Sequence, residues 1–160
     1  MQPMARRGTT WVGVAALLIG TWEGMSLVAY PDRLAGNIPT VCEGVTRSEL
    51  PTLKVGDRFT FTECMVIEAK ALPVYDAGIK RCIHVPMSQD LEGMTVSLAY
   101  NIGIRATCKS TFVRHINAHD PNACQYMLVF DKASGRYVQG LKNRRLDEYR
   151  YCERGLNVRN

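Results

Sequence analysis

Hydrophobic positions change period along this chain, and the changes mark its elements. From Gly8 to Trp22 the sequence carries no charge, and Arg6 and Arg7 stand before it. Gly13, Ala15, Ala16 and Gly20 dilute the run, which is shorter than the roughly 20 apolar residues of a comfortable membrane helix. It reads either as an uncleaved membrane-targeting segment or as the first amphipathic helix of a domain, capped by Thr9 or Thr10. Between Ser26 and Arg58 short strand-like pieces, such as Leu27 to Tyr30 and Thr40 to Cys42, alternate with Pro31, Gly36, Pro39, Gly44, Pro51 and Gly56. That pattern predicts a small irregular β-region.

Helical spacing takes over after Thr60. Thr60 and Glu63 form a capping box before Met65, Val66, Ala69 and Leu72, which predicts a helix toward Arg81 with a kink or break at Pro73. Ser88 caps a second helix whose Leu91, Met94, Leu98 and Ile102 share one face. A short helix is expected near Ser110 to Asn117, another opened by Asp120 and Pro121, and a last one from about Leu141 to Glu153. No repeat or linker interrupts the series, so the fold class is α+β, helix-dominated, in one continuous catalytic-sized domain over 23–160 behind the anchor-like segment 1–22.

With 160 residues and 46% hydrophobic composition the chain can bury a core of its own. Twenty basic against fifteen acidic residues give a net charge of +5, which favours encounter with polyanions such as cell-wall polymer. The basic excess after residue 135 lacks any nucleic-acid-binding motif, so no nucleic-acid partner is expected and the residues read as a solvated helix face. Cys42, Cys64, Cys82, Cys108, Cys124 and Cys152 are spread without a Cys-x-x-Cys pair. Disulfides in an oxidising compartment, or buried thiols in a reducing one, both fit, and six cysteines allow about fifteen pairings.

For chemistry, two carboxyls stand out. Glu23 closes an apolar run between Trp22 and Met25, a setting suited to an acid that keeps its proton, whereas Asp32 lies in a polar turn suited to one that stays charged. Glycosidic hydrolysis needs such a pair. His115 and His119 have a metal-compatible spacing but no evident third ligand, so no metal and no cofactor is expected. Ser88, Ser97 and Ser110 lack the partners of a nucleophile triad, and Glu43 reads as an exposed hairpin residue.

The arrangement Glu23-Gly24, Ala29-Tyr30-Pro31-Asp32, Gly36 and Pro39-Thr40-Val41-Cys42-Glu43-Gly44 resembles the catalytic segment of phage-type lysozymes, the endolysins of glycoside hydrolase family 24. "FTFTEC", "VPMSQ", "VSLAYNIG", "CKSTFVRHIN" and "GLKNRRLDEYRYC" continue the resemblance in order, nearly to the end of the chain. It implies a lysozyme-like molecule with a small β-hairpin lobe and a larger helical lobe, joined by the helix carrying Pro73. It also implies a peptidoglycan muramidase that cleaves the β-1,4 bond between N-acetylmuramic acid and N-acetylglucosamine with inversion. Glu23 would be the general acid, Asp32 the carboxylate acting with water, and Thr40 the hydroxyl placing that water. Arg144, or Arg145 one position on, would approach Glu23, while Tyr30 and Asn101 would line the cleft.

One departure is the loop from Asp32 to Thr40, which "LAGNIP" makes longer than the family pattern. It keeps open an alternative, a catalytically inactive peptidoglycan-binding or virion-associated module of the same fold. Some members carry a weakly hydrophobic signal-anchor-release segment. The resemblance therefore implies a monomer exported to the periplasm or envelope, with transient inner-membrane association through its first 22 residues.

Overall fold

The computed structural model describes residues 10–158, so Arg6, Arg7 and Thr9 lie outside the described residues. The first element is helix α1, Trp11–Trp22. Of the two candidate caps, Thr10 takes the role: its backbone is extended and its hydroxyl accepts from the Gly13 N–H at 3.2 Å. Gln89 Oε1 accepts a second orphan donor, the Trp11 N–H, at 2.7 Å. Val14, Ala15, Leu18 and Ile19 form the buried stripe of this helix. Among the described residues no helix is long and apolar enough to cross a membrane.

Strands β1 (Ser26–Asp32) and β2 (Ile38–Cys42) pair antiparallel, with Tyr30 opposite Thr40 and Asp32 opposite Ile38. Helix α2 spans Phe61–Lys80 and begins with the expected capping box: Thr60 Oγ1 accepts from Glu63 N–H at 3.1 Å, and Glu63 Oε2 accepts from Thr60 N–H at 2.7 Å. Of the kink or break expected at Pro73, the break does not occur: one helix runs through the proline. The helix is held by different cores toward its two ends. Cys64 and Ile67 pack into a small cluster with Ala29, Val41, Val45 and Leu53, while Leu72 and Ile79 pack into the large one. Burial at both ends outweighs the one hydrogen bond that proline removes. Two cores joined by one helix make the molecule two-lobed and lysozyme-like, as the resemblance implied.

Helix α3, Gln89–Ile102, is the centre of the large lobe; every residue from Leu91 to Ala99 is buried. Ser88 caps it and Gly103, at φ 92°, ends it. Helices α4 (Ile104–Cys108), α5 (Thr111–Asn117) and α6 (Gln139–Asn157) complete the lobe. The helix expected after Asp120 is only a 3-10 turn, Ala123–Met127. Asp120 is occupied otherwise: its carboxylate accepts from Asn122 N–H at 2.8 Å and meets His115 Nδ1 at 2.6 Å. Before α6, the two-residue strands β3 (Lys132–Ala133) and β4 (Arg136–Tyr137) form a tight hairpin. Ser134 and Gly135, both at positive φ, supply its turn.

All six cysteines are paired, Cys42 with Cys64, Cys82 with Cys108, and Cys124 with Cys152. The bridges close loops of 22, 26 and 28 residues, each worth about 3–4 kcal/mol in the chain-entropy account. The first staples the hairpin to α2, and the others staple the helical lobe.

Helix α1 docks on α3 through a glycine. A Cβ on Gly93 would stand 2.5 Å from Val14 Cβ and 2.6 Å from the Trp11 carbonyl oxygen. Helix propensity alone favours alanine there by about 1 kcal/mol, but overpacking of this kind costs about 1–3 kcal/mol. Gly93→Ala is therefore expected to lower the thermal midpoint, as followed by circular dichroism. An unchanged or raised midpoint would show that α1 does not sit this close.

Candidate active site

Glu23 occupies the C-cap of α1, where its N–H donates to the Ile19 carbonyl at 2.9 Å. The cap is fixed from behind, because Trp22 Nε1 donates to Asp147 Oδ2 on α6 at 3.0 Å. Its carboxylate takes a hydrogen bond from Arg144 Nη1, also on α6. Arg144 is 3% exposed and spreads its fork over three partners. Besides Glu23, its Nε donates to Glu148 Oε1 at 3.2 Å and its Nη2 to the Ser97 carbonyl of α3 at 3.3 Å.

Glu148 is fully buried and anchors that fork. The Ser97 hydroxyl donates to its Oε1 at 2.7 Å, and Arg145 Nη2 donates to the same oxygen at 3.1 Å. Burial pushes the Glu148 carboxyl above its ordinary range, and the charges of Arg145 and Arg144 oppose that rise. Of the two adjacent arginines that sequence offered, Arg144 is thus the one that reaches Glu23, and Arg145 neutralises its support.

A cavity of about 230 Å³ opens beside Glu23, walled by Glu43, Glu49, Tyr75, Tyr100 and Asn101. It continues across α2 into a larger groove of about 620 Å³, with Leu50 and Ile67 on the small-lobe side and Val74 and Ile104 on the other. Glu49, Ala71 and Tyr75 line both spaces. The result is a trench between the lobes with an acid at one end.

Of the residues singled out from sequence, Asn101 and Glu23 line the cavity and Arg144 supports it. Tyr30, Asp32 and Thr40 are not on that wall. The pairing of Tyr30 with Thr40, and of Asp32 with Ile38, places all three on one face of the hairpin. The Asp32 carboxylate accepts from Leu34 N–H at 2.9 Å, and the Thr40 hydroxyl donates to the Ile38 carbonyl at 3.2 Å. The long loop leaves this pairing intact. It forms a 3-10 turn, Arg33–Ala35, followed by Gly36 and Asn37 at positive φ, and it carries Leu34 out to full exposure.

Glu43 corrects an expectation. It is not an exposed hairpin residue but 3% exposed, and its N–H donates to Glu68 Oε1 of α2 at 2.9 Å. Burial, the Glu68 charge and hydrogen bond, and the Glu23 charge push its carboxyl up to about 8, with Arg144 opposing. Burial raises Glu68 as well. The sequence held a usable signal. Cys42 precedes Glu43, and Glu68 lies one helical turn after Cys64, so the Cys42–Cys64 bridge brings the two acids together. His115, weighed as a metal ligand, instead faces Asp120 and stacks on Tyr126 with ring centroids 3.8 Å apart.

Comparison with known proteins gives a consistent set. Residues 20–148 match the family described as phage lysozyme. The SAR-endolysin of Enterobacteria phage P21 is 31% identical over 131 residues, covering 81% of this chain and 76% of that protein. The SAR-endolysin of Escherichia phage Mu is 32% identical over 125 residues, covering 77% and 69%. Among solved structures, the endolysin from Escherichia coli O157:H7 phage FAHEc1 superposes with a TM-score of 0.76 at 30% identity, over 87% of this chain and 90% of that one. A P22 lysozyme mutant gives 0.77 at 25% identity, over 86% and 93%.

The buried charges behind Glu23 generate a stability prediction. Removing one partner of such a cluster leaves uncompensated charge, at a cost of about 3–5 kcal/mol. Glu148→Ala is expected to lose that much in urea unfolding, because Arg144 and Arg145 are stranded together. A loss under about 1 kcal/mol, the scale of an exposed pair, would contradict the buried cluster.

Proposed function

The chain belongs to the phage lysozyme family and is a glycoside hydrolase, a peptidoglycan muramidase used in phage-driven lysis; on that premise we propose that Glu23 and Asp32 divide the chemistry of the β-1,4 cleavage. Glu23 donates its proton to the glycosidic oxygen as the bond from the muramic acid C1 breaks, which lets N-acetylglucosamine leave as a neutral alcohol. Positive charge builds on the sugar ring. A water on the opposite face attacks C1, passes its proton to the Asp32 carboxylate, and is held there by Thr40. Attack from that face inverts the anomeric centre, and the pair regains its starting state by exchanging protons with solvent.

The observation that carries this reading is the hydrogen bond from Arg144 to Glu23 at the mouth of the inter-lobe trench. It fixes the carboxyl in one orientation, and it sets a cation beside the anion that forms once the proton has gone. The remaining site assignments are Asn101 on the trench wall and Tyr30 on the hairpin face beside Thr40. The unbroken Tyr30–Thr40 pairing supports a working hairpin despite its longer tip.

Its SAR-endolysin relatives support action at the bacterial envelope. In our reading the enzyme acts there as a monomer and takes no nucleic acid. Residues 1–22 form the targeting and anchoring segment, ahead of a catalytic domain spanning 23–160. Glu23 directly follows α1, so a chain whose first helix is held in a bilayer cannot assemble the cleft around its acid. Release from the membrane is then the activating step. The charge of +5 draws the free enzyme to the anionic wall, an attraction that fades with added salt.

Glu23→Gln is expected to slow turbidity loss of outer-membrane-permeabilised cells by at least about 100-fold, the lower end of what a positioned acid contributes, with the thermal midpoint near that of the wild type. Asp32→Asn is expected to do the same. Lysis retained by Glu23→Gln would remove the acid assignment, and lysis retained by Asp32→Asn would move the water-directing role to another group.

A further inference from the structure

Glu43 on the cavity wall and Glu68 behind it are a pair of carboxyls that the hydrolysis leaves unused. Glu43 and Glu68 are 3% and 6% exposed. The Glu43 N–H donates to Glu68 Oε1 at 2.9 Å, which sets the two buried carboxyls beside each other. Like charges so placed repel, and burial disfavours ionising both, so the arrangement favours one of the pair keeping its proton. The pair also touches each element that forms the cavity. Glu43 Oε1 lies 3.1 Å from where a Cβ on Gly20 would stand, in the last turn of α1 and three residues before Glu23. The Tyr100 hydroxyl of α3 donates to the Glu43 carbonyl at 2.7 Å. Cys42, next in sequence, is bonded to Cys64 on α2.

We infer that Glu43 and Glu68 hold a single proton between them, and that this protonated pair positions Glu23, so that lytic activity is lost in mild alkali when the proton leaves. The inference rests on the reading of Glu23 as the catalytic acid. The charged and titratable groups facing the pair are Glu23 at the end of α1, Arg144 on α6, Tyr100 on α3, and Tyr75 and Glu49 on the cavity wall. Arg144 is the cation in that set, and it is already shared between Glu23 and Glu148. A doubly ionised pair would therefore be two adjacent buried like charges without a cation of their own. The Cys42–Cys64 bridge keeps the end of β2 on α2, so repulsion would turn the Glu43 carboxyl away from Glu68 and disturb its contact with the turn of α1 that holds Glu23.

The sign of the pH dependence follows from the raised carboxyl. Glu43 moves from an ordinary 4.5 to about 8 in the folded protein. Between those values the folded state binds more protons than the unfolded one. Stability thus falls as pH rises through that window and levels off above about 8. Activity follows the folded-state proton itself and falls through its upper edge.

Lysis rates and thermal midpoints from pH 5 to pH 9 for the wild type, Glu43→Gln and Glu68→Gln test the inference, together with a carbon-13 carboxyl titration of glutamate-labelled wild type. A glutamine at either position supplies a neutral donor in place of the shared proton. The wild type is expected to lose about tenfold more rate between pH 6.5 and pH 9 than either variant, which keeps only the alkaline limb of Glu23 itself. One glutamate carboxyl should titrate near 8 in the wild type, and that signal should vanish in Glu43→Gln. The wild-type midpoint should decline from pH 5 to pH 8 more than that of Glu43→Gln. If Glu43→Gln does not fold, Glu68→Gln carries the rate comparison.

The inference is overturned if no glutamate carboxyl titrates above pH 7. It is also overturned if the variants lose as much rate in alkali as the wild type, which would assign the alkaline limb to Glu23 alone. Lysis retained by Glu23→Gln, with the carboxyl titration still near 8, would instead remove the reading of Glu23 and leave the shared proton standing.

Discussion

A guanidinium that is 3% exposed must be compensated where it stands, and in this protein Glu148 supplies the counter-charge while the Glu23 carboxyl accepts a hydrogen bond from another direction. Glu148 is on the same helix one turn away, so α6 carries both a charge and its counter-charge as a rigid unit. Ser97 joins that unit to α3 through two groups, its carbonyl toward Arg144 and its hydroxyl toward Glu148. What remains of Arg144's hydrogen-bonding capacity points at the end of α1. Buried ion pairs add little net stability once desolvation is counted, but their geometry is specific. Here the specificity fixes where Glu23 must be, and with it one end of the trench.

The second constraint is the close approach of backbone segments along α1. Gly93 lets α1 lie against α3, and Gly20 leaves room for the Glu43 carboxyl under the last turn of α1. The Cys42–Cys64 bridge then holds the hairpin to α2 at the point where Glu43 meets Glu68. Helix α2 and the end of the hairpin therefore meet the last turn of α1, three residues before Glu23.

Features written in local chemistry were legible in the sequence. The Thr60–Glu63 box, the Ser88 cap and the periodic face of α3 each depend on residues three or four positions apart, and each formed as expected. Features decided by distant partners were not. A break at Pro73 is one of the two outcomes the sequence predicts, because the chain does not announce that two separate cores hold this helix, the small one near Cys64 and the large one from Leu72 onward. Asp120 looked like a helix cap because His115 and Asn122 compete for its carboxylate only in the folded molecule. Glu43 looked exposed because its burial depends on a cysteine pairing that spacing alone left open among many. Glu23, Asp32 and Thr40 became candidates with defined roles through ordered resemblance rather than through composition. Their separate placements, Glu23 on the cavity wall and the other two on the hairpin face, come from the coordinates.

The small residues of α1 give its two sequence readings a common cause. Gly13, Ala15, Ala16 and Gly20 lower the apolar content of the run, which is why it made a poor membrane span by length and composition. The same residues narrow the helix. Ala15 is fully buried, and Gly20 admits a carboxyl that any side chain would displace. A helix of larger apolar residues would partition more strongly into a bilayer, but it could not enter this core without forcing α3 and the hairpin apart. Weak hydrophobicity is thus the condition for docking, and docking is what brings Glu23 to Arg144.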